Sequence, residues 1–432
     1  MGSNINELPN EVLLHILSLL PTKDAVRTSV LSTRWRYLFA SISQFDIDFW
    51  GFKTADRVGV LNFVDRMFHY RDRSPMDKFR LCYLDAVDPL RLEGWILAAM
   101  QRGVRELDLY NYGLYQLLLP ASLFTCNTLA VLKLNMRTEP GLEVPAEVFL
   151  PNLKVLHLAN VISFLNVDSS ERLFLNCPIL EDLVVQSYYE WDDYKCKIHV
   201  SSPTLKRLTM EFMCVLGGFS SYDVVINAPN LVYLKYVGCE VNSHAFVNVQ
   251  SLTEAYIDFE EFLGYSSHYL HSATDVMKGI SNIQTLHISG ETLVDLQAAR
   301  VPIPLLQNMT ILRIFRCDET YGLKGLPYFL TYCDALETLV LEEPPCKWNP
   351  DTWYLLEASG DNCLLLRLKA IEIFSFEGDE DCMKMVEYFL KSARVLENLT
   401  IHISAENEKR LKITKELMIL PRVSEKCQVM IV

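Results

Sequence analysis

The chain has 432 residues and a formal net charge of -14 at pH 7, with 50% hydrophobic and 22% charged residues. These proportions are typical of a globular protein with one large core or a few domains. The acidic balance argues against a nucleic-acid-binding function, because neutralising phosphates requires clustered Lys and Arg.

The N-terminal residues MGSNINELPNEV lack the basic start and the apolar run of a signal peptide, and no later apolar stretch has the roughly 18 residues of a membrane span. We therefore expect a protein of the cytoplasm or the nucleus, or of both, with no membrane partner. The twelve Cys are scattered without a C-x-x-C pair, which argues against a zinc site or a redox dithiol. We expect most of them to be buried, reduced thiols.

The segment LPNEVLLHILSLLPTKDAVRTSVLSTRWRYLF, residues 8–39, predicts three short helices. Pro21 stops the first helix, and Ser32 is a candidate cap for the third. The apolar residues of the first helix extend beyond the single stripe that one contact would hide, and they are Val12, Leu13, Leu14, Ile16, Leu17, Leu19 and Leu20. A unit of roughly 40 residues is also near the lower limit for independent folding. We therefore expect one side of it to pack on the rest of the chain and another side to contact a second protein.

Residues 5–45 resemble the F-box, a three-helix module that binds Skp-type adaptors of cullin-based ubiquitin ligases. The landmarks of the resemblance are Leu8-Pro9, Glu11, Ile16-Leu17, Leu20-Pro21, the run from Asp24 to Arg27, Leu31-Ser32 and Arg34-Trp35-Arg36. The resemblance assigns adaptor binding to Leu8, Pro9, Leu13, Ile16, Leu20 and Leu31, with Trp35 in the core or at the rim of the same module. The alternative is a helical cap that seals the open end of the structure that follows.

From Val104 onward the pattern apolar-x-x-apolar-x-apolar recurs every 21 to 32 residues. Its twelve copies cover 104–110, 129–135, 153–159, 180–186, 205–211, 231–237, 252–258, 283–289, 309–315, 336–342, 368–374 and 396–402, and a weaker copy begins at Met76. The spacing is close to the roughly 20 to 29 residues of leucine-rich repeats. Alternation within each copy predicts a short strand with its fourth and sixth side chains facing inward. Stacking such units predicts an α/β solenoid of about 12 or 13 repeats, with a curved parallel sheet on its concave side.

The C-terminal stretch 363–404 resembles the FBD region that follows the F-box and leucine-rich repeats in plant proteins, and SSERLFLNCPILEDLVV is similar to the repeats of that family. The resemblance implies an F-box over 1–48, a repeat solenoid over 49–350 and FBD-like repeats with a cap over 351–432. Spacing alone predicts a helix within roughly 379–395, an acidic loop from Glu377 to Asp381 that caps it, and a closing strand CQVMIV.

Motifs of catalysis or metal binding are absent from the sequence, which has no P-loop, dinucleotide fingerprint, nucleophile elbow or H-E-x-x-H. His268 and His271 have no acidic third ligand nearby and predict a polar loop rather than a metal site. The tract SYYEWDDYK, residues 187–195, fits a binding loop and an irregular turn equally well. We therefore expect no enzyme, no cofactor and no metal.

The third, fifth and seventh residues of each repeat are predicted to face the concave side of the solenoid. The candidate substrate-binding residues there are Tyr110, Lys133, His157, Arg207, Tyr233, Lys235, Tyr256, Arg313 and Phe315. Aromatic side chains often anchor protein contacts. Acidic residues such as Asp108, Glu211 and Asp258 are interspersed with the basic ones, so a dedicated anion pocket is not expected. The alternative is a face that merely keeps the chain soluble.

The resemblance implies a substrate-receptor subunit of a Skp-cullin-F-box ubiquitin ligase. Its partners would be a Skp-type adaptor, a cullin reached through that adaptor, and an unknown protein substrate held by the repeats. Such a subunit catalyses nothing itself. The alternative is a leucine-rich-repeat scaffold or ligand-sensing receptor that is not tied to degradation.

Overall fold

The computed structural model of the chain describes residues 5–49, 54–70, 75–82, 87–111, 119–136, 142, 144–160, 167–189, 195–214, 221–238, 243–259, 267–317, 323–343, 353 and 366–432. The chain divides into two compact units. The first unit comprises Met1–Ser187 and Cys196–Leu205, and the second comprises Tyr188–Lys195 and Lys206–Val432.

Unit 1 combines the N-terminal helices with a parallel ladder of strands. Its helices are α1 (Asn10–Ser18), α2 (Thr22–Arg27), α3 (Thr54–Tyr70), α4 (Pro89–Met100) and α5 (Val167–Leu175), with 3₁₀ helices at Ile5–Glu7, Thr28–Val30, Trp35–Ser41 and Ala121–Thr125. Its strands are β1 (Gln44–Asp48), β2 (Lys78–Cys82), β3 (Glu106–Asn111), β4 (Val131–Met136), β5 (Val155–Ala159), β6 (Asp182–Tyr189) and β7 (Lys195–Ser201). Each strand from β1 to β6 pairs in parallel with the next one along the chain.

Unit 2 contains a parallel ladder of the same kind. Its strands are β8 (Arg207–Cys214), β9 (Ser221–Asn227), β10 (Tyr233–Gly238), β11 (Ser243–Val247), β12 (Glu254–Phe259), β13 (Thr285–Ser289), β14 (Ile311–Phe315), β15 (Thr338–Leu341), β16 (Ala370–Phe376), β17 (Asn398–Ile403) and β18 (Gln428–Ile431). Its helices are α6 (Ser267–Gly279), α7 (Gly290–Ala298), α8 (Leu326–Leu330), α9 (Glu380–Ser392) and α10 (Asn407–Ile419). The ladder runs in parallel in the order β8, β10, β12, β13, β14, β15, β16, β17, β18. Strands β9 and β11 form a separate parallel pair.

All twelve predicted repeat segments are strands, and the weaker copy at Met76 leads into β2. Equivalent leucines stack from strand to strand, as Leu132, Leu156 and Leu183 do in neighbouring positions of β4, β5 and β6. All three are buried, and so is the leading leucine of the repeat, for example Leu153. Burying these leucine columns is what holds one repeat against the next. The predicted leucine-rich-repeat fold is therefore confirmed.

The C-terminal expectations also hold in unit 2. Helix α9 occupies the predicted range, and the Asp379 carboxylate accepts a hydrogen bond from the Cys382 N–H at 2.8 Å. This contact is a helix cap, as the acidic loop predicts. The last strand, β18, pairs with β17 and confirms the closing strand.

Three features differ from the sequence-based expectations. Strand β1 lies within the stretch assigned to the F-box and extends the ladder of unit 1, because Phe45 and Ile47 are buried while their neighbours are exposed. Strands β7, β9 and β11 were not expected. The prediction of a polar loop at His268 and His271 was wrong, since α6 begins at Ser267. Residues 190–194 of the tract SYYEWDDYK lie outside the described residues.

A buried histidine in unit 2 leads to a prediction about pH. His244 meets the Tyr236 ring edge-on, with ring centroids 4.9 Å apart, and stacks on Phe246. Burial lowers the pKa of His244 to about 3, so the folded state holds it neutral. In the unfolded chain it titrates near its ordinary value of about 6.5, so the free energy of unfolding should fall as the pH drops below that value, by up to about 1.4 kcal/mol per pH unit.

We expect His244→Phe to remove this part of the pH dependence, because phenylalanine fills the aromatic site and cannot take up a proton. Urea unfolding of both chains between about pH 7 and pH 5 measures the difference in slope. If the free energy of unfolding changes equally with pH in the two chains, then groups other than His244 control the acid sensitivity of unit 2.

Candidate functional site

We take the exposed apolar side chains of the N-terminal helices of unit 1 together as a candidate surface. We call this surface the N-terminal apolar face, and its members are Ile5, Val12, Leu19, Leu20, Val30 and Leu31. Leu19 is 73% exposed and Val30 is 85% exposed. Clustered exposed apolar side chains of this kind mark protein interaction sites more often than single ones do.

Beneath that face lies a compact core. Leu13, Leu17 and Ala25 are buried completely, and Trp35 is 2% exposed. Of the residues predicted to bind an adaptor, Pro9, Leu20 and Leu31 are exposed, Leu8 and Ile16 are half-buried, and Leu13 and Trp35 are buried. Leu13 and Trp35 therefore belong to the core of the helical module and not to its exposed surface. Val30 was not singled out from the sequence, although the adjacent apolar pair Val30-Leu31 could have indicated it.

Arg34 fixes the segment that leads into α1. Its Nη2 donates to the Leu8 carbonyl oxygen at 2.5 Å and to the Asn10 Oδ1 at 2.7 Å, and its Nε donates to the same Asn10 oxygen at 3.0 Å. Charge-assisted contacts of a planar guanidinium restrict geometry as well as adding energy. These contacts hold the Leu8-Pro9 segment close to Arg34, which directly precedes the 3₁₀ helix Trp35–Ser41.

The helical module is also anchored to the ladder of unit 1. The Asp46 N–H on β1 donates to the Thr22 hydroxyl at the start of α2, at 2.9 Å. The ring of Phe63 on α3 lies 5.6 Å from that of Phe39 and 6.0 Å from that of Phe45, measured between centroids. A polar contact and an aromatic cluster thus fix the N-terminal apolar face relative to the first strands.

The second candidate surface is the open face of each ladder, which we define as the side of the strands opposite the buried leucine columns. In unit 1 its charges pair with one another. The Arg80 guanidinium contacts Asp46 at 2.8 Å and Asp108 at 3.3 Å. Lys78 contacts Glu106 at 2.8 Å, and Lys133 lies 4.0 Å from the same carboxylate.

Two other predicted residues, Tyr110 and His157, are half-buried on the open face of unit 1. The His157 Nε2 shares a hydrogen bond with the Gln186 Oε1 at 2.7 Å. The polar groups of this face are therefore largely satisfied within the chain. A partner that covered them would have to replace contacts that already exist.

In unit 2 the open face has an aromatic centre. The rings of Tyr256 and Phe315 stack with centroids 4.4 Å apart and planes at 17°. The Lys235 ammonium lies 5.1 Å from the Tyr256 centroid and forms an ion pair with Glu211 at 2.8 Å. Burial raises the pKa of Tyr256 to about 12, so its hydroxyl remains a hydrogen-bond donor at neutral pH.

The remaining predicted residues of this face surround that centre. Tyr233 and Arg313 are half-buried, and Arg207 is exposed at the start of β8. Arg316 was missed from the sequence. It pairs with the buried Asp258 and contacts Glu291 at 3.5 Å. Only the strand register brings β12 and the end of β14 together, so the spacing of these residues could not have indicated the pair.

Within the described ranges, no group of three or more His, Cys, Asp or Glu side chains is arranged to hold a metal ion. Among the helices that the structure describes, none has both the length and the apolar content that crossing a bilayer requires.

Family models match three parts of the chain. The F-box domain model matches residues 5–45, a model described as FBD-associated F-box protein At5g56370, LRR repeats, matches 92–272, and the FBD model matches 362–401. These matches confirm the three resemblances found in the sequence.

Relatives that match most of this chain are found in Arabidopsis thaliana. The F-box/LRR-repeat protein At3g59200 is 34% identical over 478 residues, which covers 99% of this chain and 88% of the relative. The F-box/LRR-repeat protein At4g14103 is 36% identical over 354 residues, covering 78% of this chain and 91% of the relative. The F-box/LRR-repeat protein At3g59210 is 30% identical over 464 residues, covering 99% and 94%.

Proposed function

The chain belongs to the F-box/FBD/LRR-repeat family of plant proteins, and from that membership we propose that it is a substrate-receptor subunit of a Skp-cullin-F-box ubiquitin ligase. In this role the chain is not catalytic. It binds a Skp-type adaptor, reaches the cullin through that adaptor, and holds a protein target near a ubiquitin-charged enzyme. Holding the target raises its effective concentration and fixes its orientation. The proposed place of action is the cytoplasm, the nucleus or both.

The observation that carries this proposal is the N-terminal apolar face within the segment that the F-box model matches. Its most exposed members lie over a core that is already complete without them, since Leu13, Leu17 and Trp35 fill it. Burying such side chains against a second protein is favourable by roughly 25 cal/mol per Å² of apolar area. We propose that Leu8, Pro9, Ile16, Leu20 and Leu31 contact the adaptor directly, and that Leu13 and Trp35 hold them in place.

Substrate binding is proposed for the open face of unit 2. Stacked and partly buried aromatic side chains lose little conformational freedom on binding, which suits them to anchor a partner. Tyr256 is already held between Phe315 and the Lys235 ammonium. The proposed substrate residues of unit 1, Tyr110, Lys133 and His157, would contribute less, because the polar groups around them are paired within the chain.

We expect Leu20→Ser combined with Leu31→Ser to weaken binding to a Skp-type adaptor strongly. Truncation of an interface hot spot costs about 2 kcal/mol or more, so two together should raise the Kd at least a hundredfold. Titration calorimetry with the purified adaptor measures this change. Both side chains are exposed, so the fold should not suffer.

Leu411→Ser is the matched control, because Leu411 lies on α10 in unit 2 and is 58% exposed, against 59% for Leu31. It should bind the adaptor as the wild-type chain does. If the double variant also binds like wild type, the N-terminal apolar face is not the adaptor site and the proposed function loses its main support.

A further inference from the structure

Two charges of opposite sign lie on neighbouring strands of the open face of unit 2. Arg313 sits in β14 between the buried Leu312 and Ile314, so its side chain is on the open face. Glu342 follows β15 directly after the buried Leu341, and its N–H donates to the Ile314 carbonyl oxygen at 2.8 Å. Alternation along each strand puts both side chains on the same side of the ladder. Both are half-buried.

Neither side chain has an ion-pair or hydrogen-bond partner among the described residues. Three other ionisable pairs of unit 2 are closed within the chain: Lys235 with Glu211 at 2.8 Å, His287 with Glu254 at 3.2 Å, and Arg316 with Asp258. Burial lowers the pKa of His287, Glu254 opposes that shift, and Arg313 and Glu342 act on the same ring in opposite directions. The strand register places Arg313 directly beside His287.

Half-buried, unpaired charges limit which proteins can bind over them. Arg313 and Glu342 keep part of their hydration while the face is open, and they lose it when a partner binds. A charge that is desolvated without a counter-charge costs more than an apolar contact returns, whereas a hydrogen-bonded counter-charge offsets the loss. The open face therefore rejects partners that lack the right charges, which is a source of specificity separate from affinity.

We propose that the open face of unit 2 selects a protein segment that presents an anionic group to Arg313 and a basic side chain to Glu342. An apolar residue of the same segment packs beside the Tyr256–Phe315 stack. The inference rests on the proposed function, in which this face holds the substrate. A carboxylate and a phosphate both satisfy the anionic requirement, because a guanidinium binds either of them with two parallel hydrogen bonds.

The order of the two charges along the segment is the property to test. The probes are synthetic peptides of about a dozen residues, each with a central Phe, one Glu and one Lys, in both orders and at several spacings. Matched peptides carry Gln at both charged positions, and a parallel set carries phosphoserine instead of Glu. The full chain, in complex with a Skp-type adaptor, is applied to the immobilised peptides.

We expect the complex to retain peptides with one order of Glu and Lys at least about tenfold better than peptides with the reverse order, and at least about tenfold better than the neutral peptides. Stronger retention of the phosphoserine set identifies phosphate as the source of the anion, and equal or weaker retention identifies a carboxylate. Arg313→Gln should abolish the preference. Arg313→Glu combined with Glu342→Arg should reverse it, which a merely structural effect of either residue would not do.

Lys412→Glu is the control, since Lys412 is an exposed side chain of helix α10 outside the open face, and its change should leave the preference unchanged. Adaptor binding is measured on the same samples. A complex that forms with the adaptor but shows no charge-order preference, or retains none of the peptides, overturns this inference and leaves the proposed function standing. Failure to bind the adaptor, with the charge-order preference intact in the isolated chain, overturns the proposed function and not this inference.

Discussion

Leu156→Ala is expected to lower the free energy of unfolding by about 2 to 5 kcal/mol, through lost apolar burial and the cavity left behind. Leu156 on β5 is fully buried and lies between Leu132 on β4 and Leu183 on β6. Neighbouring repeats cannot close the gap without shifting the register of the ladder. Denaturant titration of the purified full chain measures the loss.

Because a solenoid repeat contacts mainly its neighbours, the loss at Leu156 should appear first as local opening. Hydrogen exchange at the amides of β4, β5 and β6 should therefore rise before the remaining strands are affected. The control is Lys133→Ala, on the open face of β4, which should change stability by less than about 0.5 kcal/mol. Equal losses in the two variants would contradict the assignment of inward and outward positions.

The ladder was predictable because its signal is local and repeated. In a copy such as LKVLHLA, residues 153–159, alternation alone separates Leu156 and Leu158 from His157. Twelve copies in register then require parallel stacking, since no single copy can bury its own leucines. The helix at α9 and its cap at Asp379 were predictable for a similar reason, because the acidic loop and the apolar period are contiguous in the chain.

Strands outside the repeat pattern were not predictable. Strand β1 is an exception, because Ile42, Phe45 and Ile47 fit the apolar-x-x-apolar-x-apolar pattern and are all buried. This copy directly follows the helical module, and the sequence-based prediction assigned it to that module. Strands β9 and β11 are short alternating segments whose pairing depends on where the chain places them. Such strands are defined by tertiary contacts more than by local propensity.

For the two candidate surfaces, the sequence did not separate buried from exposed residues or paired from unpaired charges. A helix with apolar residues on several sides does not say which of them face inward, so the sequence grouped the buried Leu13 with the exposed Leu20. On the open face, the charged residues were predictable but their partners were not. Arg80 pairs with Asp46 and Asp108, whereas Arg313 pairs with no described residue, and only the register separates the two cases.

Each candidate surface is formed within a single unit, so one chain could bind two partners independently. The helical module is tied to β1 through the Thr22 hydroxyl and to α3 through the rings of Phe39, Phe45 and Phe63. An adaptor bound to the N-terminal apolar face would therefore contact helices that are held in place against β1 and α3 of unit 1. The aromatic centre of unit 2 is formed by side chains of that unit alone. Changes at one surface should leave binding at the other intact.

We expect Tyr233→Ala combined with Tyr256→Ala to abolish substrate binding while leaving the adaptor complex intact. Tyr256 contributes a stack on Phe315 and a cation–π contact with Lys235, and Tyr233 is half-buried on the adjacent strand of the same face. Hot-spot truncations of about 2 kcal/mol each should together weaken binding several hundredfold. Tyr332→Ala is the control, because it removes an aromatic side chain that pairs with Tyr328 beside α8.

The lifetime of the bound protein separates a ubiquitin-ligase receptor from a scaffold. A target found by proximity labelling with the proteasome blocked should persist longer in cells that carry the Tyr233 and Tyr256 variant, and equally long with the Leu20 and Leu31 variant. The Tyr233 and Tyr256 variant no longer binds the target, and the Leu20 and Leu31 variant no longer binds the ligase. Either loss prevents the target from reaching the ligase. A scaffold would lose its partner in the first variant only, with no change in the partner's half-life in either. That outcome would leave the chain as an interaction solenoid and remove ubiquitin delivery from its function.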